Sequence, residues 1–233
     1  AQLFPEAPLA RIDRDSMRRK GELEATLARV DSNEIRILVG TQMLTKGHHF
    51  PNVTLVIVLN ADQGLFSTDF RASERLAQTI VQVAGRAGRG ERAGEVLIQT
   101  EYPQHPLLDL LLQGGYDAFA AGALLEREQS GWPPYTRIAL LRAEATQPEA
   151  PRRFLQAAMN AAREQGIRGV KLLGPAPAPM ERRAGRHRAQ LLLHAATHQP
   201  LQRLLGAWIP TLEGLAEARH VRWSIDVDPA ELF

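Results

Sequence analysis

Apolar residues recur along this chain with two different periods. RILVG (36–40), VTLVIVLNAD (53–62) and GEVLIQT (94–100) are short runs with hardly any polar position and many β-branched residues. Such runs predict strands buried on both faces, the pattern of a parallel sheet. Around them the period lengthens to that of a helix. In 16–30, Met17, Leu23, Leu27 and Val30 share one side, and in 69–85, Phe70, Leu76, Ile80, Val83 and Ala84 do so. Strand alternating with helix predicts an α/β layer around a parallel sheet. A helical stretch at 105–131 is dented at Gly114 and Gly115 and stops before Trp132-Pro133-Pro134, where two prolines end helical pairing. We place a domain boundary there, giving domains 1–131 and 132–233.

Past the boundary the order of elements changes. RIALLRAEA (137–145) predicts a strand and PEAPRRFLQAAMNAAREQG (148–166) a helix with Phe154, Leu155, Ala158 and Ala162 inward. GVKLLGPAPAPM (169–180) predicts a strand running into a proline-stiffened turn, RHRAQLLLHAA (186–196) a strand, 200–218 a helix interrupted at Pro210, and HVRWSIDVDP (220–229) a last alternating strand. The sum is β-α-β-β-α-β, the split arrangement called ferredoxin-like. Two helices cover one face of such a sheet and leave the other open to a partner.

Charge adds an asymmetry that the overall net of +2 conceals. Residues 1–131 hold 14 Lys and Arg against 17 Asp and Glu, a net of −3; residues 132–233 hold 14 against 9, a net of +5. Much of the excess is Arg182, Arg183, Arg186 and Arg188, a cluster that faces either phosphate or plain solvent. With no cysteine there are no disulfides and no thiolate zinc site within these residues, which fits a reducing compartment. No metal site is expected: adjacent His48 and His49 point apart and chelate poorly. No apolar run is long enough to cross a membrane and no secretory leader stands at the start, so a soluble cytoplasmic chain is expected.

The chemistry is read first from exclusions. There is no G-x-x-x-x-G-K-[ST] phosphate loop, no dinucleotide-binding fingerprint, no nucleophile elbow and no paired-carboxylate site. Asp226 and Asp228 share a face of the last strand but precede Pro229, the pattern of a strand-end turn. QVAGRAGRG (82–90) is different. Arg86 and Arg89, three apart at the end of a predicted helix, lie on one face among small residues, so two permanently charged forks can aim at one target. A transferring phosphoryl group suits such forks. Capping of the helix C-terminus, where cations favour the dipole, is the other reading.

GTQMLTKGHHFPNVTLVIVLNAD followed by DFRASERLAQTIVQVAGRAGR resembles motifs V and VI of superfamily 2 helicases, specifically the PriA-type primosomal helicases of bacterial replication restart. The likeness continues through GEVLIQTEYPQHPLL, WPPYTRIALLRAE, LGPAPAPMERRAGRHRAQLLL and IDVDP, nearly the whole chain. It implies most of a RecA-like second helicase lobe, incomplete at its start, followed by the ferredoxin-like domain. Arg89 would then be the arginine finger on the γ-phosphate of ATP, with Arg86 beside it, Gln82 next to the cleft, Gly47 allowing close approach of the nucleotide and Asp62 orienting the arginines or ending its strand. Thr41, Gln42 and Lys46, at the carboxyl edge of the sheet, would hold a DNA phosphate by contacts blind to sequence. Arg182, Arg183, Arg186 and Arg188, with Trp223, Trp132 and Tyr135 as stacking aromatics, would bind single-stranded or forked DNA.

The resemblance implies ATP and Mg²⁺ held mainly by a first lobe carrying a phosphate loop and a DEXH box, and Zn²⁺ in a cysteine-rich insertion; none of these motifs is in the sequence. A C-terminal fragment of a 3′ to 5′ helicase, inactive as an ATPase by itself, is the expectation. Its partners would be single-strand DNA-binding protein and primosome proteins, its location the bacterial cytoplasm at the nucleoid, its state a monomer. The alternative reading is a stand-alone nucleic-acid-binding or partner-docking module without ATPase activity.

Overall fold

The computed structural model describes residues 6–12, 21–40, 52–85 and 94–232. The chain divides into two compact units, one of residues 1–68 with 72–122 and one of residues 69–71 with 123–233.

In the first unit, β1 (Leu9–Ile12) pairs in parallel with β2 (Ile37–Gly40) across α1 (Glu22–Asp31). β3 (Leu55–Val58) pairs in parallel with β4 (Glu95–Ile98), with α2 (Asp62–Leu65) and α3 (Ala72–Ala84) between them in sequence. These are the strand–helix–strand repeats that the two apolar periods predict. β1 is an addition: Arg11 breaks the apolar run of LARI, so it does not declare itself by pattern, and its partner supplies the ladder. The parallel pairs form two separate two-stranded sheets among the described residues. Burial on both faces, expected from the apolar runs, is not observed. Leu55 and Ile57 in β3 and Leu97 in β4 are 47%, 52% and 45% exposed, because α3 packs on β3 and β4 while no other described element covers the face carrying these three.

α4 (Pro106–Ser130) carries the predicted dent as a break at Gly115, whose φ of 75° and ψ of −170° lie outside helical space. A left-handed φ of this kind is open to glycine and strained for most other residues.

The second unit is a four-stranded antiparallel sheet in the order β6-β7-β5-β8, built from β5 (Arg137–Ala145), β6 (Val170–Arg183), β7 (Arg186–Ala195) and β8 (Arg222–Val227). With α5 (Ala150–Glu164) and α6 (His198–Gly214) as crossovers, this is the ferredoxin-like order. Alternation on the strands sends Ala139, Leu141, Ala143, Leu191 and Leu193 against Phe154, Leu155, Leu204 and Trp208 of the helices, in one core. Trp208 is fully buried, and its indole N–H donates to the Ala158 carbonyl at 2.8 Å, so the burial strands no polar group.

Two boundaries differ from the sequence reading. Pro175, Pro177 and Pro179 sit within β6, not in a turn after it. Among the described residues β6 is an edge strand bonded only to β7, and an edge strand tolerates residues without an N–H. The register slips between Leu173 and Ala176 and between Pro177 and Arg182. Gly174, at φ 120°, is required at the first slip: a side-chain carbon there would lie 3.1 Å from the Gln190 carbonyl oxygen. Pro210 does not interrupt α6. Leu204, Leu205, Trp208 and Leu212 are buried on both sides of it, and their packing outweighs the roughly 3 kcal/mol that an interior proline costs.

Candidate functional site

β2 ends at Gly40 and α3 ends at Ala84, so the two motif segments of the first unit follow directly on a strand and a helix. Thr41, Gln42, Lys46 and Gly47, His48 and His49, and Arg86 and Arg89 lie outside the described residues. Gln82 is exposed on the last turn of α3, and the Gly85 N–H closes that turn on the Val81 carbonyl at 2.9 Å. At the other end of α3, the carboxylate of buried Asp69 accepts the Arg71 N–H at 3.0 Å, a turn that fixes where the helix begins.

Asp62 links the ends of two strands. Its carboxylate accepts the Thr100 hydroxyl and, at 3.0 Å, the Glu101 N–H. Those two hydrogen bonds, the Thr100 one first, hold its pKa below the usual carboxylate range. Asp62 therefore ties the residues after β3 to the residues after β4, at the carboxyl edge of that pair, and it stays ionised through neutral pH.

The second unit gathers the four arginines around one hairpin. Arg182 is paired with His187 and Arg183 with Arg186, about a turn at Ala184 and Gly185 with φ of 48° and 79°. Arg182 and Arg183 are exposed. Arg186 lies 3.8 Å from the Glu144 carboxylate, both about one-third exposed, a pair worth little in water. Arg188 donates to the Met180 carbonyl at 3.5 Å, its one hydrogen-bond partner among the described residues.

The tryptophans take other places. Trp223 stacks on Phe154 with ring centroids 5.9 Å apart and packs against the core under the helices. Trp132 stacks on Phe70 at 5.2 Å, and the Arg127 guanidinium covers that phenylalanine at 4.9 Å while donating to the carbonyls of Phe70 and Pro133. Of the three aromatics named as stacking platforms only Tyr135 is well exposed, at 43%. The open face of the sheet was expected from the sequence, but the residues on it were not singled out: there Arg142 holds Asp226 at 3.0 Å and Arg222 emerges beside it. The signal was present, since Arg222 and Ser224 alternate with Trp223 and Ile225 on the last strand. Asp228, just past β8 with φ 52°, donates its N–H to the Ile138 carbonyl, as a strand-end turn would.

Comparison with known proteins follows this division. Residues 6–91 match the model of the helicase conserved C-terminal domain, and residues 128–230 match that of the primosomal protein N C-terminal domain. Over 99% of its length the chain is 48% identical to the replication restart protein PriA of Haemophilus influenzae. The chain belongs to the PriA family of replication restart proteins. PriA of Bacillus subtilis is 36% identical over 98% of the chain, and PriA of Synechocystis 43% over 82%. The chain spans 31%, 28% and 23% of these three PriA proteins respectively. Among the described residues no group of His, Asp and Glu is placed to hold a metal ion, and no helix is long and apolar enough to cross a membrane.

Proposed function

We propose that this chain supplies one wall of the nucleotide site of an ATP-dependent 3′ to 5′ DNA helicase of replication restart, together with a DNA-binding unit. The observation that carries the reading is α3: it ends at Ala84 with Gln82 exposed on its last turn, and the two arginines follow next in the sequence. Arg89 acts as the arginine finger and Arg86 as its companion, both aimed at the γ-phosphate of ATP. Asp62 ties the ends of β3 and β4 together. ATP and Mg²⁺ are held mainly by a phosphate-loop lobe outside these residues, since a finger stabilises charge on a phosphate that another element presents. Zn²⁺ likewise belongs outside the chain. Thr41, Gln42 and Lys46 hold a DNA phosphate, and Gly47 allows close approach of the nucleotide. By itself the chain does not hydrolyse ATP. In a protein joining this chain to its phosphate-loop lobe, Arg89→Ala abolishes DNA-stimulated ATP hydrolysis while nucleotide binding persists; retained turnover would sink the assignment.

A second reading rests on the hairpin. Exposed Arg182 and Arg183 with half-buried Arg186 and Arg188 make the second unit a binder of single-stranded or forked DNA, with single-strand DNA-binding protein and primosome proteins as further partners. The 233-residue chain binds single-stranded DNA at low salt, and Arg186→Ala with Arg188→Ala weakens that binding. Absence of binding at low salt rejects this second reading without touching the first.

A further inference from the structure

The open face of the C-terminal sheet is divided in two. Toward the start of β5, Ile138 and Leu140 are buried with Leu232, and Phe70, Trp132 and Leu192 pack on them. Toward the end of β5 the same face is polar and open. A cavity of about 250 Å³ lies there, lined by Arg142, Glu144, Arg188, Gln190, Arg222 and Ser224 among others.

The pairing register builds this pocket. Glu144 stands opposite Arg188 on one side and Arg222 on the other, and Arg142 stands opposite Gln190 and Ser224. Residues opposite one another share a face, and neighbouring strands lie about 4.8 Å apart, so Arg188 and Arg222 flank the carboxylate at about twice that spacing. Arg142 is already committed, to Asp226 at 3.0 Å and to the Glu231 carbonyl at 2.6 Å. Arg222 is exposed and makes no ion pair among the described residues, and Arg188 spends one weak bond on a carbonyl. Each guanidinium therefore keeps donors for a ligand. From Arg188 the basic row continues through Arg186 to Arg183 at the hairpin, while Arg182, opposite His187, falls on the other face.

A row of forks on an open pleated surface fits a repeating anion better than a single small one, which would need its donors to converge. Trp223 borders the pocket but lays its ring on Phe154, so this part of the surface grips a backbone rather than stacking bases. We propose that the pocket seats a phosphate of an extended single-stranded DNA, clamped by Arg188 and Arg222 with Gln190 and Ser224 as neutral donors, and that Glu144 competes for the same cations and weakens the grip. The proposal rests on the reading of the second unit as a DNA binder and names the face and the residues.

The test is fluorescence anisotropy of the whole 233-residue chain with a labelled oligothymidylate across a salt series. Arg222→Ala is expected to weaken binding several-fold and to lower the slope of log affinity against log salt by about 0.7, one phosphate contact to a single strand. Glu144→Gln is expected to tighten binding about 2- to 5-fold, the size of one exposed charge interaction. Arg222→Lys should restore most of the slope. Circular dichroism establishes that each variant is folded. If Arg182→Ala with Arg183→Ala weakens binding while Arg222→Ala and Glu144→Gln leave affinity and slope unchanged, the pocket is wrong and the DNA-binding reading survives. If the unmodified chain fails to bind at low salt, both fall. An acidic peptide whose binding depends on Arg222 while oligothymidylate binding does not would also overturn the proposal.

Discussion

In the second unit Leu141, Leu191 and Leu193 lie in strands and are wholly buried, whereas in the first unit Leu55 and Ile57, just as apolar and also in a strand, are 47% and 52% exposed. The difference lies in what covers each sheet. β5 and β7 are central strands with α5 and α6 laid over them, and the other face of β5 is partly closed by Leu232 with Phe70 and Trp132. β3 has one strand neighbour and α3, among the described residues. An apolar run declares that a strand can be buried on two faces; cover from elsewhere in the fold decides whether it is. Two units of one chain should then respond differently to the same kind of substitution.

The largest contrast is expected at Trp208. Trp208→Ala removes a fully buried indole and leaves the Ala158 carbonyl without its donor, a loss of about 3–5 kcal/mol. Hydrogen exchange during denaturant unfolding should show protection falling in α5, β5 and β7 and holding in α3 and β4. An equal fall in both units would break the contrast.

A smaller loss is expected where a short segment joins the second unit. Phe70 belongs with that unit although α3, which follows it at once, belongs to the first. Its half-buried ring is stacked on Trp132 and covered by Arg127, so Phe70→Ala should cost about 2 kcal/mol, less than a wholly buried ring would. The protection that drops should be that of residues 127–140 and their partners in β7. Loss confined to α3 would instead mean that Phe70 serves the first unit.

Legibility in the sequence follows the same division. The second unit could be read almost whole, because β5, β7 and α5 each keep one clean period and the order of elements prescribes the split topology. Two places misled, each where tertiary context outweighs local chemistry: the prolines of β6, tolerated on an edge, and Pro210, carried by the core around it. β1 was invisible because Arg11 breaks its apolar run, whereas the equally short β2 and β3 are unbroken. The site was legible in part. Arg182, Arg183, Arg186 and Arg188 were singled out by charge, and the structure places them at or beside one hairpin. Trp223 was misread because an aromatic was weighed by type. Its alternation with Arg222 and Ser224 puts it under the helices and puts them in the open, and that alternation was in the sequence. Arg86 and Arg89 were singled out by motif, a signal independent of packing, and they lie outside the described residues.

The contrast is sharpened by a substitution that should do almost nothing. Ile57→Thr exchanges one β-branched residue for another on a half-exposed strand position, so unfolding should move by less than about 0.5 kcal/mol. Leu141→Thr, which puts a hydroxyl into the core of the other sheet, should cost several times as much by the same measurement. If Ile57→Thr proves as costly as Leu141→Thr, the exposed face of β3 is covered in solution.

The smallest effect is expected in acid, and it is confined to the first unit. Asp62 has a lowered pKa because its ionised form accepts the Thr100 hydroxyl and the Glu101 N–H. For a carboxylate depressed on folding, the stabilisation is complete above the unfolded-state value of about 3.9 and is lost as pH falls toward the folded-state value. The first unit should therefore lose stability relative to an Asp62→Asn variant only below about pH 4, and the two should differ by a constant amount from there to neutrality. Unfolding curves of both proteins across that range, read at amides of β3 and β4, measure it. A difference that changed between pH 5 and 7 would mean that Asp62 is not held ionised by these two bonds, and the strand-end link would have to be assigned to other groups.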